Sequence, residues 1–534
     1  MSESNRGVCV EAEAGPERGL GPAVVGPGSG AQRSDSWAAE ALKWVFSFPA
    51  MLGTALVGLV FSEGRTFITD SDMWWHIKVG QSILATHQWP TRDIYSFTAY
   101  GRPWVAEEWL GEVLMARAWR LDGLRALDLL LIGLDAAVII GLYILAAKRS
   151  NAKAGFLATA LFCPLAWTSF TLRPQMLAYF FLVLTMIVLA LFREGKTWAI
   201  WSLPPIFLLW VNTHGLWLIG LGVVFLYWIC GLMEFRIGAV EVKRWSTGQR
   251  RQISLALLLS VAMLPITPYG TELAAIPFRF MFSLPLAKSS IQEWQPISFN
   301  TSYGHFFLGL FLAFLVLQTI LELRWRLDEL LLFFAAIALA CMHVRFLLLF
   351  VPFGVPLLAR IFALSLQSYD RAIDKHLLNG ILMVGTVMAM VHYFPSRAAL
   401  EANIAATFPV RAVEYMQEHS VPGPTFNPDV FGGYLIWADP QQKVFIDGRA
   451  ELYESSGVLE DYTRLVFLKP GALDVLRRYQ IRSCLLGRDD ALSTALAASP
   501  YWRKVYSDRT STLFVIAGMA GAEAAATRGW DSQR

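Results

Sequence analysis

Two carboxylates stand one residue apart in Asp70-Ser71-Asp72, and a second acidic point follows in Glu107-Glu108-Trp109. Acids grouped this way can take a proton from a nucleophile, or hold a divalent cation through hard oxygen ligands. Two carboxylates without further ligands make a poor cation site. Acid–base chemistry is therefore the first expectation, with no cofactor required and a divalent cation as the lesser alternative. Beside the acids stand Trp74, Trp75 and His76, then Trp89-Pro90, Trp104 and Trp109. Indole rings are half apolar and half polar and suit the headgroup depth of a bilayer. These tryptophans read first as anchors of a segment lying on the membrane and second as ligand-stacking residues. The plainer account of Asp70 and Asp72 is that one caps a helix beginning near Met73, with His76 in the headgroup zone. That account leaves Glu107-Glu108 without a role.

Further ionisable groups stand at the ends of apolar runs: Arg173 in Thr171-Leu172-Arg173-Pro174-Gln175, His214 in Asn212-Thr213-His214-Gly215, and Arg345 just after His343. Exposing such a group to lipid costs about 3 kcal/mol or more, which makes each a functional candidate. The alternatives are snorkelling for the arginines and an interhelical hydrogen bond for His214. Glu293 and Trp294 lie in Pro268–Tyr303, a connection long enough to cover a cavity and equally readable as an ordinary surface loop.

The elements that must position these residues are set by composition. Of 534 residues, 55% are apolar and only 16% charged, against about 25% charged in soluble domains; mean hydropathy is +0.45. The chain reads as an integral membrane protein. A formal charge of +3 gives no generic nucleic-acid binder, and five scattered cysteines give neither a disulfide framework nor a zinc site. Runs of roughly 17 to 22 apolar residues predict about eleven spans, near 42–62, 125–147, 154–171, 174–192, 197–213, 215–234, 253–268, 304–323, 328–343, 345–364 and 376–394. Residues 1–36, rich in Gly, Ser, Pro and Glu, read as a disordered cytoplasmic tail without a cleavable leader, and 521–534 as a second disordered tail.

With the N-terminus inside, alternate loops carry the basic residues: Lys148, Arg149 and Lys153; Arg193 and Lys196; Arg236, Lys243, Arg244, Arg250 and Arg251; Arg324 and Arg326; Arg360, Arg371 and Lys375. This places the long first loop, 63–124, and residues 396–520 on the outer face, in a membrane domain of 37–395 expected to be a bacterial inner membrane protein. Residues 396–520 alternate short apolar runs (Pro424–Asn427, Lys443–Asp447, Ser483–Leu486, Thr512–Ile516) with helical stretches (Val410–His419, Gly457–Val466, Ala472–Tyr479), the pattern of a small exoplasmic α/β domain. Within it, Asp447-Gly448-Arg449 reads as a structural turn in which Arg449 pairs with Asp447 or Glu451, and alternatively as a ligand site at a strand end.

An acidic motif outside the first span, an amphipathic stretch ending in Trp89-Pro90, a second acidic point before Trp109-Leu110, about eleven spans and an outer C-terminal domain together resemble the GT-C superfamily of membrane glycosyltransferases. Members include protein O-mannosyltransferases, the aminoarabinose transferase of lipid A, oligosaccharyltransferases and the RgtA/B/C/D-like group. The layout resembles theirs over 42–395, the motif over about 70–110. The basic residue usual beside the second acidic point is absent from Glu107-Glu108-Trp109. The resemblance implies a polytopic α-helical, GT-C-like fold and an inverting transferase. It moves sugar from a polyprenyl-phosphate donor to a glycan, lipid or protein acceptor at the outer face, among membrane lipids. It makes Asp72 the first choice of base and Asp70 the second, with Glu107 and Glu108 beside them. Arg173, His214 and Arg345 become donors to the departing phosphate, with Trp74, Trp75, His76, Glu293 and Trp294 as substrate contacts. Two other readings compete. A transporter or flippase would show internal repeats and mid-membrane charges, of which Asp135 is the main example; a non-catalytic scaffold would keep the shape alone.

Overall fold

The computed structural model describes residues 37–64, 69–283, 285–321 and 323–517. The two predicted tails, 1–36 and 521–534, lie outside the described residues. The helix Trp37–Val45 counts as its own unit, and the description below concerns residues from Phe46 onward.

A helix stands at each of the eleven predicted span positions, from Phe48–Gly64 to His376–His392. By length and apolar character alone, four can cross a bilayer: Trp109–Arg149, Gln175–Arg193, Ser302–Ile320 and Val344–Phe362. A fifth is added if His376–His392 and Arg397–Thr407, bent by 61°, form one span. Phe48–Gly64, Ala152–Trp167, Thr197–Val211 and Trp217–Cys230 are apolar but shorter. The segment Trp109–Arg149 is two helices joined at Asp122 and Gly123, where the backbone leaves the helical region. The apolar run legible from residue 125 therefore begins where the second half does, and the first half carries Glu112 back toward the acidic motif.

Gln175–Arg193 shows why these residues form this element. Pro174 precedes it, where its fixed φ favours the first turn and its missing N–H costs nothing. The residues that follow are almost all apolar, with Thr185 the one polar side chain in the middle of the run. The helix places Arg173 at one end and Arg193 at the other.

Two small sheets complete the fold. The first joins β1 (Phe235–Ile237) and β2 (Val240–Val242) as a hairpin, with β3 (Trp325–Arg326) parallel to β2. The second lies in the C-terminal region and comprises β4 (Thr425–Phe426), β5 (Ser483–Gly487), β6 (Trp502–Ser507) and β7 (Ser511–Ile516), in the order β4-β5-β7-β6. β4 and β5 are parallel and the other pairs antiparallel. The run Lys443–Asp447, expected as a strand, is not one of the sheet. It is extended but pairs with the first loop: Phe97 N–H donates to Val444 O at 3.0 Å, and Val444 N–H donates to Tyr95 O at 3.1 Å. Asn427 holds its other edge, accepting from Phe445 N–H and donating to Ile446 O, both at 2.8 Å.

The C-terminal region is thus bound to the first loop. Arg449, 2% exposed, donates to Asp447 through Nε (2.7 Å) and Nη2 (2.6 Å), and its Nη1 lies 2.8 Å from Asp93 of the loop. Its guanidinium also stands 4.6 Å from the Trp104 ring centroid. The sequence-based pairing of Arg449 with Asp447 is what forms, with Asp93 as a second partner. Whichever face of the membrane holds one of these segments holds both.

Candidate active site

The helix Met73–Thr86 starts directly after the acidic motif and crosses the first half of Trp109–Arg149 at short range. Gly80 makes this crossing possible, because a Cβ there would fall 2.1 Å from Glu112 O. The close approach sets His76, on the same helix, against the second acidic cluster. His76 Nδ1 lies 3.2 Å from Glu112 Oε1, and Nε2 lies 3.5 Å from Glu108 Oε2. The other Glu108 oxygen meets His214 Nε2 at 3.2 Å. The His214 tautomer follows from its surroundings: Leu216 N–H donates to Nδ1 at 3.0 Å, so Nε2 carries the hydrogen and donates to Glu108. Burial holds both imidazoles well below their ordinary pKa, with Arg173 adding to the effect at His76 and Arg345 at His214. Burial likewise raises Glu107 to about 8, with Glu451 of the C-terminal region adding repulsion, and pushes Glu108 well up. Burial thus favours the uncharged form of the acids and the imidazoles alike.

Asp70 and Asp72 face Arg173. Its Nε donates to Asp70 Oδ2 at 2.6 Å, and Nη2 lies 3.2 Å from Asp72 Oδ2. The two aspartates then part ways. Asp70 Oδ1 accepts from Asp72 N–H at 2.9 Å, so Asp70 is committed to the guanidinium and the turn. Asp72 precedes the helix at the N-cap position yet makes no side-chain cap hydrogen bond, so the capping account does not describe it. Burial raises the Asp72 carboxyl to about 6, with Arg173 opposing and Asp70 reinforcing. Asp72 is the acid left free to exchange a proton near neutrality.

The same Arg173 reaches Glu293 Oε1 through Nη1 at 3.2 Å, and Arg345 Nη1 reaches Glu293 Oε2 at 3.3 Å. One carboxylate therefore bridges two guanidiniums while remaining 41% exposed. Trp294 stacks on Phe280 (5.0 Å) under Arg345 (5.4 Å), and its buried Nε1 has no acceptor among the described residues. Arg173 and Arg345 are paired within the protein, so snorkelling does not account for them.

The C-terminal region closes the remaining side. A Cβ on Gly448 would fall 1.8 Å from Asp72 Oδ1, so the turn Asp447-Gly448-Arg449 rests directly on the carboxylate. Gly448→Ala is expected to displace Asp72 and lower activity about 10²-fold, the usual result of moving a reacting group by about 1 Å. Unchanged turnover at equal expression would detach this turn from the site.

One expectation needs correction. Trp74 and Trp75 neither anchor the segment in lipid nor offer a free face to substrate. Trp74 is 1% exposed and packs on Trp437 (4.6 Å), Tyr434 (5.2 Å) and Phe408 (5.8 Å). Trp75 is 8% exposed and covers His76 at 3.6 Å. Both are spent on joining the first loop to the C-terminal region, which covers the loop that sequence alone placed on the bilayer surface. No group of three or more His, Cys, Asp or Glu among the described residues is arranged to hold an ion, and Arg173 pairs with both Asp70 and Asp72. Sequence reasoning missed Glu112 as a member of the site, although its four-residue spacing from Glu108 on a helix was a usable signal.

No protein-family model matches the chain, and no curated protein matches it either. Among solved structures, ArnT from Cupriavidus metallidurans bound to undecaprenyl phosphate aligns with 90% of this chain and 99% of its own, at 15% identity and a TM-score of 0.51. The Archaeoglobus fulgidus oligosaccharyltransferase tethered with an acceptor peptide aligns with 89% of this chain and 74% of its own, at 12% identity and a TM-score of 0.49. The chain is a membrane protein whose fold is similar to that of this ArnT.

Proposed function

We propose that the protein is an inverting glycosyltransferase that moves a sugar from a polyprenyl-phosphate donor to an acceptor at the outer membrane face. The observation that carries this reading is the meeting of an uncapped Asp72 with the guanidiniums of Arg173 and Arg345, which Glu293 bridges. Asp72 takes the acceptor proton as the acceptor oxygen or nitrogen attacks the anomeric carbon. The bond from that carbon to the donor phosphate breaks, and the electron pair leaves with the lipid phosphate. Arg173 and Arg345 receive that charge in a site with little water, where fixed cations act most strongly. Glu293 now holds the position between them that a phosphate would take, so donor binding displaces its carboxylate. The fold likeness to an undecaprenyl-phosphate-bound structure is in keeping with such a donor. The alternation of basic loops supports an acidic cluster, and with it the bound C-terminal region, on the outer face, in a membrane we read as a bacterial inner membrane.

The pKa of Asp72 gives the test. A base is active when deprotonated, so transfer is expected to rise with pH through about 6 and to fall tenfold per unit below it. A rate flat from pH 5 to 7, with the protein still folded, would remove a carboxylate of this kind from the mechanism.

One observation favours transport as a second reading. Asp128 and Asp135 are fully buried in the Trp109–Arg149 segment, and none of their carboxylate oxygens has a hydrogen-bond partner among the described residues. Intramembrane carboxylates of that kind serve proton relays in pumps.

A further inference from the structure

Arg173 and Arg193 bracket one 19-residue helix, so at 1.5 Å per residue they lie about 30 Å apart along its axis, the thickness of a bilayer's hydrocarbon core. With Arg173 in the acidic site, Arg193 reaches the headgroup depth of the opposite face. A cavity of about 460 Å³ opens there, walled by residues of β2, β3 and the Trp245 segment. Six basic side chains line it, Arg193, Lys243, Arg244, Arg324, Arg326 and Arg360, against two carboxylates.

The cations differ in how far they are committed. Asp328 serves Arg193 at 3.2 Å and Arg326 at 2.8 Å, while Arg360 pairs with Glu329 at 2.9 Å and Lys243 with Glu241 at 3.2 Å. Among the described residues no carboxylate lies within ion-pair reach of Arg244 or Arg324. Arg193 is held rigidly: its guanidinium lies 4.5 Å from the Tyr227 ring centroid and 4.7 Å from that of Trp245. Its Nε is buried and donates to no acceptor among the described residues. Snorkelling arginines spread outward to separate headgroups. Here they converge on one hollow, and one of them packs against two aromatic rings with a donor unspent.

We infer that this cavity binds a phosphate group, with the headgroup phosphodiester of an anionic membrane lipid as the source its depth favours. Guanidinium forks match phosphate oxygens in pairs, and a pre-ordered Arg193 loses little freedom on binding. Among the described residues that line it, positive charge is in surplus, and an entering anion balances it. This site is separate from the acidic cluster, and its existence is independent of the transferase reading.

The test uses the purified full-length protein, with dioleoyl phosphatidylglycerol, dioleoyl phosphatidylcholine and inorganic phosphate as probes. Native mass spectrometry reads lipid retention, and thermal unfolding reads phosphate. Preferential retention of phosphatidylglycerol is expected, reduced about 30-fold in Arg244→Gln/Arg324→Gln, at about fivefold per lost charge. Both positions are exposed, and Arg244→Gln alone, at about a fivefold loss, serves if the double variant unfolds. Stabilisation of the unmodified protein, but not the variant, by phosphate without lipid preference would identify free phosphate as the ligand and keep the site. Equal retention of both lipids by protein and variant alike, with phosphate acting on neither or on both equally, would overturn the inference.

Discussion

Asp72→Asn is expected to lower sugar transfer by 10²–10⁴-fold, the range that a positioned general base contributes. The substitution is nearly free of structural effect. Asn keeps an oxygen to accept from Arg173 Nη2, fits the space beside Gly448, and removes no cap, because Asp72 makes none. Arg173 remains neutralised by Asp70 and Glu293. What is lost is the capacity to take a proton. The measurement is product formed per mole of protein at equal expression and equal membrane insertion. Product at the unmodified level would take Asp72 out of the mechanism.

Arg173→Ala is expected to reduce kcat/KM for the lipid donor by 10²–10³-fold, the usual effect of deleting one preorganised donor to a developing anion. The effect has two parts. The departing phosphate loses its nearest cation, and Asp70, Asp72 and Glu293 lose the charge that holds them together. Without that charge the Asp72 carboxyl titrates higher still, so the acid limb of the pH profile should move toward neutrality as activity falls. Affinity for the acceptor should be nearly unchanged. Equal losses for donor and acceptor would contradict a phosphate role for Arg173.

Much of this arrangement was legible in the sequence, because spans are written as uninterrupted apolar runs. The helix Gln175–Arg193 matches the run at 174–192 because Pro174 opens it and no charged residue interrupts it. Asp72 and Glu108 stood out as members of acidic clusters beside tryptophans, and Arg173, His214 and Arg345 as a charge or imidazole where lipid makes it costly; the fold brings all five into one neighbourhood. The tryptophans misled for a physical reason. Interfacial rings and rings buried between two protein layers have the same composition, and only the fold reveals that Trp74 faces Trp437 and Tyr434. Lys443–Asp447 misled similarly, since its β-prone residues do extend, but their partner is the first loop, more than three hundred residues earlier. Gly448 gave no signal of its importance, because a missing Cβ matters only through what lies against it.

The central claim is that this acidic, arginine-lined site cleaves a lipid-phosphate sugar. Its most direct test is to reconstitute the protein in liposomes with a polyprenyl-phosphate sugar labelled in both parts, and to follow the label on the lipid. The account predicts that free polyprenyl phosphate accumulates with time and that the sugar leaves the lipid, at a rate set by protein concentration. Recovery of the donor intact, whether on its original leaflet or carried to the other, would contradict it.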